Sequence, residues 1–123
     1  MAAGIVEICE FLRSVGGPYE VITPEICENI AYSLASGQYV YEKGLYFAGY
    51  WRVNYDDIEL LLEGRRPEDI TSGPICYVAE AASVDGAVRM MRDLKSRNKD
   101  AEAAMFHRGR RLMKFSLQKG DTP

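Results

Sequence analysis

The order of apolar and polar positions along the chain predicts alternating helices and strands, and it begins with two helices. Apolar residues recur at helical spacing over residues 3–15, and the Gly16-Gly17-Pro18 stretch ends that pattern. A second helix is predicted to begin after Thr23, because threonine is a favoured N-cap residue and Pro24 suits the first helical position. Ser36-Gly37 then supplies the stop signal of this second helix.

A hairpin of two antiparallel strands, at about 38–42 and 45–53, is predicted next, because aromatic and β-branched residues flank a Lys43-Gly44 turn. Alternation along its second strand predicts one core face and one tyrosine-rich surface suited to a protein partner, an acyl chain or a symmetric subunit. The alternative for these tyrosines is ordinary core and rim packing. The predicted core face holds Leu45, Phe47, Trp51 and Val53, and the predicted surface holds Tyr46, Tyr50 and Arg52.

The second half of the chain predicts a strand–helix–strand unit. The run at 75–82 is almost continuously apolar, which is typical of a central strand covered on both faces. A helix at 84–97 and a strand at 103–107 follow, so a right-handed parallel crossover is expected. This unit is preceded by a loop at 65–74 and by a short helix at 56–64, which is predicted to bury Ile58, Leu61 and Leu62. The helix at 84–97 is predicted to bury Val84, Ala87, Val88, Met91 and Leu94. A hairpin around 108–110 is predicted to end the chain.

This order predicts a single α/β (α+β) domain over residues 1–123. Its mixed central β-sheet would carry two N-terminal helices, an antiparallel hairpin, a central βαβ unit and a C-terminal hairpin. The chain is 47% apolar and 27% charged, a balance typical of one globular core. No run of 18 apolar residues occurs, so no membrane span is expected, and the N-terminus lacks the basic region of a signal peptide.

The content of cysteine and histidine bears on location and on metals. Cys9, Cys27 and Cys76 are isolated in apolar patterns, which favours buried reduced thiols in a cytoplasmic protein. The chain has a single histidine, His107, so a His-rich metal site is not expected and no metal is predicted.

Charge is distributed unevenly along the chain. Residues 1–88 hold 5 Lys/Arg and 14 Asp/Glu, a net −9, and residues 89–123 hold 10 and 4, a net +6. This asymmetry indicates either an anionic ligand or partner near the C-terminal third, or two halves that pair within the fold. Nucleic-acid binding through the arginines and phenylalanines of 106–115 is not expected, because the isoelectric point of the chain is about 5.2.

The order of elements over about residues 23–117 resembles the GNAT acyltransferase fold. In GNAT enzymes the helix after the central strand opens with R/Q-x-x-G-x-G/A, whose backbone N–H groups hold the pyrophosphate of acyl-coenzyme A. The corresponding stretch here, at 83–88, keeps the middle glycine, Gly86, but has Ser83 at the Arg/Gln position and Val88 at the last Gly/Ala. The resemblance also implies a V-shaped divergence between the central strand and the strand after the helix.

A narrower resemblance is to the bacterial toxin-activating lysine acyltransferases, which modify a protoxin lysine using acyl carrier protein. It implies that Glu80, six residues before Gly86, occupies the position of a strand carboxylate implicated in catalysis. The chain departs from that family by having no histidine in its N-terminal region and by having Ile70 where the family's loop has tryptophan. The matching positions are Pro67-Glu68-Asp69, Ser72-Gly73, Gly86, Met90 or Met91, and Asp93-Leu94.

Two catalytic candidates follow, each with a structural alternative. Glu80 is the ionisable group inside the apolar strand, where burial would raise its pKa and suit it to base catalysis. Alternatively, it is a structural carboxylate, either paired with an arginine of the Arg108–Arg111 hairpin or at an exposed strand end. His107 would serve as a general acid if that hairpin folds back beside Glu80, and otherwise is a strand-end or surface histidine.

The turn before the fourth helix is the candidate donor site. Its backbone N–H groups and the helix dipole would bind a phosphate of the donor. The alternative is an ordinary helix cap through Ser83 or Asp85, and the negative charge of Asp85 opposes a phosphate. The candidate donor-binding residues are Ser83, Val84, Asp85, Gly86 and Ala87, with Arg89 and Arg92 as helpers.

The function expected from these features is transfer of an acyl or acetyl group from acyl-CoA or acyl carrier protein to an amine, with a protein lysine among the acceptors. The alternative is a catalytically inactive GNAT-like domain that binds other proteins, as small phage and prophage domains of this kind do. A homodimer is expected if the final strand or the tyrosine-rich surface is exposed.

Overall fold

A computed structural model describes residues 4–108 and 111–116, so the predicted turn at Gly109 and Arg110 and the nucleic-acid candidate Arg110 lie outside the described residues. The order of elements is the predicted one, with two added 3₁₀ turns at Gly17–Tyr19 and Tyr55–Asp57. The helices are α1 (Ile5–Val15), α2 (Pro24–Ser36), α3 (Ile58–Leu62) and α4 (Val88–Arg97). The strands are β1 (Tyr39–Glu42), β2 (Tyr46–Val53), β3 (Ile75–Ser83), β4 (Ala103–Arg108) and β5 (Arg111–Ser116).

The five strands form one mixed sheet in the order β1-β2-β3-β4-β5. All neighbouring strands are antiparallel except β3 and β4, which are parallel and are joined through α4. The mixed α/β class and the βαβ unit are therefore confirmed. No helix within the described ranges combines the length and the apolar character needed to cross a bilayer.

The start of α2 follows the local signal in the sequence. The hydroxyl oxygen of Thr23 accepts a hydrogen bond from the backbone N–H of Ile26 at 3.2 Å, and Pro24 occupies the first turn. Threonine thereby satisfies one of the N–H groups that the first turn of a helix leaves without an intrahelical partner. This helix begins where the sequence predicts.

Helices cover both faces of the sheet and divide the core into two layers. α1, α2 and α3 pack on one face, where Phe47 and Trp51 of β2 are buried. α4 packs on the other face, where its Met90 and Leu94 meet Tyr46 and Tyr50. The sheet is therefore the middle layer of a three-layer domain.

The tyrosine-rich surface predicted on β2 is wrong, because every residue of that strand is buried. Tyr46 and Tyr50 lie beneath α4, and the guanidinium of Arg52 donates to the carbonyl of Gly73 at 2.9 Å. Leu45 also packs on this side rather than with Phe47. Alternation separates the two faces of a strand but does not tell whether a second layer covers both.

The fourth helix begins at Val88, four residues later than predicted. The backbone N–H of Val84 donates to the carbonyl of Leu45 at 2.9 Å, which keeps the preceding residues in the sheet. As a result Val84 and Val88 are 61% and 66% exposed, Ala87 is also exposed, and the inward positions fall on Met90 and Leu94. The expected burial of Leu62 in α3 is likewise wrong, whereas Leu61 is buried.

Candidate active site

The parallel strands β3 and β4 are paired over only four residues. Ile75–Val78 match Ala103–Phe106, after which β3 continues to Ser83 and the end of β4 pairs only with β5. The two strands therefore diverge beyond Val78 and Phe106 and leave an opening between them. Backbone groups along this edge of β3 need partners from outside the sheet.

A β-bulge at Ala79 lies where the divergence begins. Gly49 of β2 matches Glu80 and the next residue, Tyr50, matches Val78, so Ala79 has no partner on β2. An extra residue of this kind bends the strand and shifts the alternation of its side chains by one position. Consequently Glu80 shares the face of Gly49, which is the face covered by α2, instead of the face covered by α4.

The carboxylate of Glu80 is half-buried and held by two donors. Oε1 accepts a hydrogen bond from the hydroxyl of Tyr19 at 2.8 Å, and Oε2 accepts from Nδ2 of Asn29 at 2.9 Å. Burial raises the pKa of Glu80 above its usual value, and the two hydrogen bonds only partly offset that effect. Such a carboxyl group is suited to accept a proton at a higher pH than an exposed glutamate.

Tyr19 closes the open edge of β3 next to this carboxylate. Its hydroxyl oxygen accepts a hydrogen bond from the backbone N–H of Ala81 at 3.0 Å. That N–H lies beyond the last residue of β3 that pairs with β4, so the tyrosine takes the place of a strand partner. Burial, and then the nearby charge of Glu80, raise the pKa of Tyr19, so its hydroxyl remains protonated.

A cleft of about 840 Å³ occupies the opening between the strands and α4. Its walls are mainly apolar, and its polar groups are the side chains of Tyr19, Arg92, Lys95 and His107. Clefts of this size with few polar groups are typical of sites for small molecules and cofactors. The apolar lining includes Val78, Ala81, Met90, Met91, Leu94 and Phe106.

His107 lines the cleft from β4. Its ring meets the ring of Tyr77 edge-on, with the centroids 5.6 Å apart. Its Nε2 atom is buried and has no hydrogen-bond partner among the residues that the structure describes. A buried nitrogen without a partner is costly, so a bound ligand that reached this atom would be favoured.

The turn before α4 does not cap the helix in the way that the sequence predicts. The N-cap residue is Ala87, without a side-chain cap, and the hydroxyl of Ser83 donates instead to the carbonyl of Gly86. Gly86 adopts a φ of 94°, a left-handed conformation that glycine enters without strain. A cap through Ser83 or Asp85 is therefore wrong, and the first N–H groups of α4 have no side-chain cap.

Only part of the predicted donor site reaches the cleft. Ala87 and Arg92 line it, whereas the side chain of Arg89 pairs with Glu42 of β1 at 3.6 Å. The remaining predicted residues are outside the lining: Ser83 is the half-buried last residue of β3, and Val84, Asp85 and Gly86 are exposed.

Several residues that carry the narrower resemblance have structural contacts. Asp69 accepts hydrogen bonds from the backbone N–H and the hydroxyl of Thr71, at 2.9 and 3.1 Å, and another from the hydroxyl of Ser72. Asp93 accepts from the hydroxyl of Tyr46 at 2.9 Å, which ties α4 to β2. These residues hold the loop at 65–74 and α4 in place.

A second recess, of about 380 Å³, lies on the opposite face of the sheet, between α2 and the segment after α3. Asn29, Trp51 and Tyr77 line it, and Ala79 lines both this recess and the cleft. The bulged residue thus borders both cavities. Glu80 follows Ala79 in β3, and of its two hydrogen-bond donors Asn29 lines the recess and Tyr19 lines the cleft.

Comparison with models of protein families, with curated proteins and with solved structures gives no match for this chain. Within residues 4–108 and 111–116, no three His, Cys, Asp or Glu side chains lie close enough together to hold a metal ion. The proposed function therefore rests on the geometry of the two cavities.

Proposed function

We propose that this protein is a GNAT-like acyltransferase that moves an acyl group from a thioester of coenzyme A or acyl carrier protein to a primary amine. The observation that carries the proposal is the divergence of β3 from β4 beyond Val78 and Phe106. It opens a cleft whose walls include His107 and Tyr19, and Tyr19 is bonded to Glu80. This divergence is the feature that the resemblance to GNAT enzymes implies.

The chemistry of the cleft suits a thioester donor. An acyl chain on a phosphopantetheine arm is apolar at its reactive end and carries phosphate at the other. The apolar walls would take the acyl chain, and the cations of Arg92 and Lys95 would face the phosphate. Backbone N–H groups at the start of α4 would add to the binding of that phosphate.

Glu80 is the base of the proposed reaction. An ammonium group of the acceptor transfers a proton to its carboxylate, and the resulting amine nitrogen attacks the carbonyl carbon of the thioester. The new C–N bond forms as the C–S bond breaks, and the thiolate takes the Nε2 proton of His107. The nitrogen of the new amide gives up its second proton to solvent, from which His107 regains the proton it donated. The products are an amide and a free thiol.

Tyr19 and Asn29 are positioning residues in this scheme. Each donates one hydrogen bond to Glu80, and a carboxylate has further lone pairs with which to receive the amine proton. Their bonds keep the carboxylate next to Ala79, which borders both the cleft and the recess. The base therefore lies where a donor in one cavity and an acceptor in the other would meet.

The proposal is tested by measuring thiol release from acyl-CoA and from acylated carrier protein with a panel of primary amines. We expect turnover with at least one donor, and a loss of about 100-fold or more in kcat for Glu80→Gln and for His107→Gln. Glu10→Gln, an exposed glutamate of α1, is the matched control and should leave kcat unchanged. Absence of binding to either donor, or full activity of Glu80→Gln, would refute the proposal.

A non-catalytic role in protein binding is the second candidate. Val84 and Val88 are exposed beside the basic residues of α4, which is the kind of apolar and charged surface that protein partners contact. This role predicts a stable complex or homodimer and no thiol release. Gel filtration with light scattering, run beside the turnover assay, separates the two candidates.

A further inference from the structure

The recess on the α2 face carries both signs of charge at its opening. Glu25 and Glu28 line it from one turn of α2, and Arg65 and Arg66 line it from the segment after α3. A surface meant for a polyamine or a single cation would carry carboxylates alone. This pairing of two carboxylates with two guanidinium groups matches a ligand that is itself a zwitterion.

One of the residues that line the recess, Trp51, carries a donor that has no partner in the described part of the chain. Trp51 is only 4% exposed, it lines the recess, and its indole N–H is buried with no hydrogen-bond partner among the described residues. Indole N–H groups donate and cannot accept, so the missing partner is an acceptor oxygen and not an ammonium group. A carboxylate or carbonyl oxygen of a bound molecule would supply it.

One of the two arginines is already held in place for such a ligand. The guanidinium of Arg66 stacks over the ring of Tyr32 at 3.8 Å and donates to its hydroxyl at 2.8 Å. A guanidinium has five N–H donors, so this one bond leaves most of them able to meet a carboxylate. Stacking fixes the direction of the group before the ligand arrives, which lowers the entropy lost on binding.

The end of the recess that α2 forms, with Glu25, Glu28 and Asn29, lies next to Glu80. Glu25 lies close enough to Glu80 for its negative charge to act on that carboxyl group, and Asn29, which binds Glu80, lines the same recess. Beyond Ala79 lies the cleft. An ammonium group held at this end would be next to both the base and the thioester.

We infer that this recess binds the acceptor, and that the acceptor is a small primary amine that also carries a carboxylate, a molecule of the amino-acid class. The amine lies towards Glu25 and Glu28, and the carboxylate meets Arg65, Arg66 and Trp51. A lysine side chain of a protein would bring a cation without an oxygen for the buried indole. The inference rests on the proposed function and names its acceptor.

Trp51 is the only tryptophan of the chain, so its fluorescence reports on the recess directly and without any donor. The probes are ω-amino carboxylates from glycine to 6-aminohexanoate, the n-alkylamines of equal length and the matching carboxylates. We expect a saturable change for at least one amino carboxylate, with binding at least about tenfold tighter than that of its matched amine and its matched carboxylate. The chain length that binds best measures the distance between the two charged ends.

Double variants test which residues bind the amine of the ligand and which bind its carboxylate. Glu25→Gln with Glu28→Gln should weaken the best amino carboxylate about tenfold, and Arg65→Gln with Arg66→Gln should do the same. Glu10→Gln with Arg13→Gln, two exposed charges of α1, is the control and should leave binding unchanged. Far-ultraviolet circular dichroism of each variant confirms that it is folded.

Three outcomes would overturn the inference. They are equal binding of the amine and the amino carboxylate, no saturable binding of any probe, and binding that the recess variants do not alter. Equal binding would point to a lysine side chain or a polyamine as acceptor. These titrations contain no thioester, so a negative result would refute the amino-acid acceptor without refuting the proposed binding of a thioester donor. The donor assay tests that binding separately.

Discussion

The hydroxyl of Tyr19 and the carboxylate of Glu80 are 2.8 Å apart although 61 positions separate them in the chain. Tyr19 belongs to a 3₁₀ turn that follows α1, and Glu80 lies one residue beyond the bulge of β3. The bond therefore links the segment between α1 and α2 to the point where β3 and β4 diverge. It makes the shape of the cleft and the position of the base depend on each other.

Tyr19→Phe removes a donor from Glu80 and an acceptor from the N–H of Ala81. We expect the free energy of unfolding to fall by about 1–2 kcal/mol, measured by urea denaturation, because a part-buried backbone donor loses its partner. The bond to Tyr19 lowers the pKa of Glu80, so its loss raises that pKa. The acidic limb of the pH–rate profile should therefore move to higher pH; an unmoved limb would exclude Glu80 as the titrating base.

Glu80→Gln should change how stability depends on pH. Burial raises the pKa of Glu80 in the folded protein above its unfolded value of about 4.5, so folding favours the protonated carboxyl. The carboxylate therefore costs stability as pH rises from the unfolded pKa to the folded pKa, and the full cost is present above both. Relative to wild type, the variant should gain stability as pH rises above about 4.5 in denaturant unfolding, and the gain should level off above the raised pKa of the folded protein. A difference that is constant with pH would contradict the shift.

Gly49→Ala should destabilise the sheet opposite Glu80. A Cβ atom at Gly49 would lie 2.8 Å from Oγ and 3.0 Å from Cβ of Ser33 in α2, closer than side chains pack. We expect a loss of about 1–3 kcal/mol in thermal or urea unfolding. Ser33→Ala in the same chain removes the nearest atom, so the double variant should recover part of the loss; no recovery would place the strain elsewhere.

Arg52→Met should destabilise the face of the sheet beneath α4. The buried guanidinium donates to the carbonyl of Gly73 at 2.9 Å and to Oδ1 of Asn98 at 3.3 Å, and both acceptors would lose their partner. We expect the free energy of unfolding to fall by about 2–4 kcal/mol. Arg65→Met is the matched control, because that arginine is exposed and its ion pair with Glu63, at 3.7 Å, lies at the surface, so its effect should stay within about 0.5 kcal/mol. Equal losses of unfolding free energy in the two variants would show that the buried hydrogen bonds of Arg52 stabilise the fold no more than a surface ion pair does.

Local signals in the sequence were sufficient for much of the fold. Thr23 and Pro24 mark the start of α2 because a cap and a fixed φ act within one turn. The continuous apolar run of β3 marks a strand in the middle layer, and Glu80 is conspicuous within that run. These features are determined by residues that are neighbours in the sequence, so the sequence pattern is enough to predict them.

The parts of the site that escaped prediction depend on contacts distant in sequence. The bulge at Ala79 exists only in the pairing of β3 with β2, and the burial of Tyr46 and Tyr50 depends on α4, forty residues or so further on. Tyr19 carried one weak signal, its place in a Gly-Gly-Pro connection, since loops often contribute functional residues. The charged recess carried none, because α2 and the segment after α3 meet only in the folded chain.

The bulge at Ala79 also determines what a change in chain length would do. Length variation is usually confined to loops, but here a residue within a strand lies outside the ladder. A deletion at this position would place Glu80 directly after Val78, still opposite Gly49 and on the face that α2 covers, and would restore a regular ladder. Among proteins descended from a common ancestor with this one, a missing codon at Ala79 would thus straighten β3 and remove the residue that borders both cavities, without moving Glu80 to the other face.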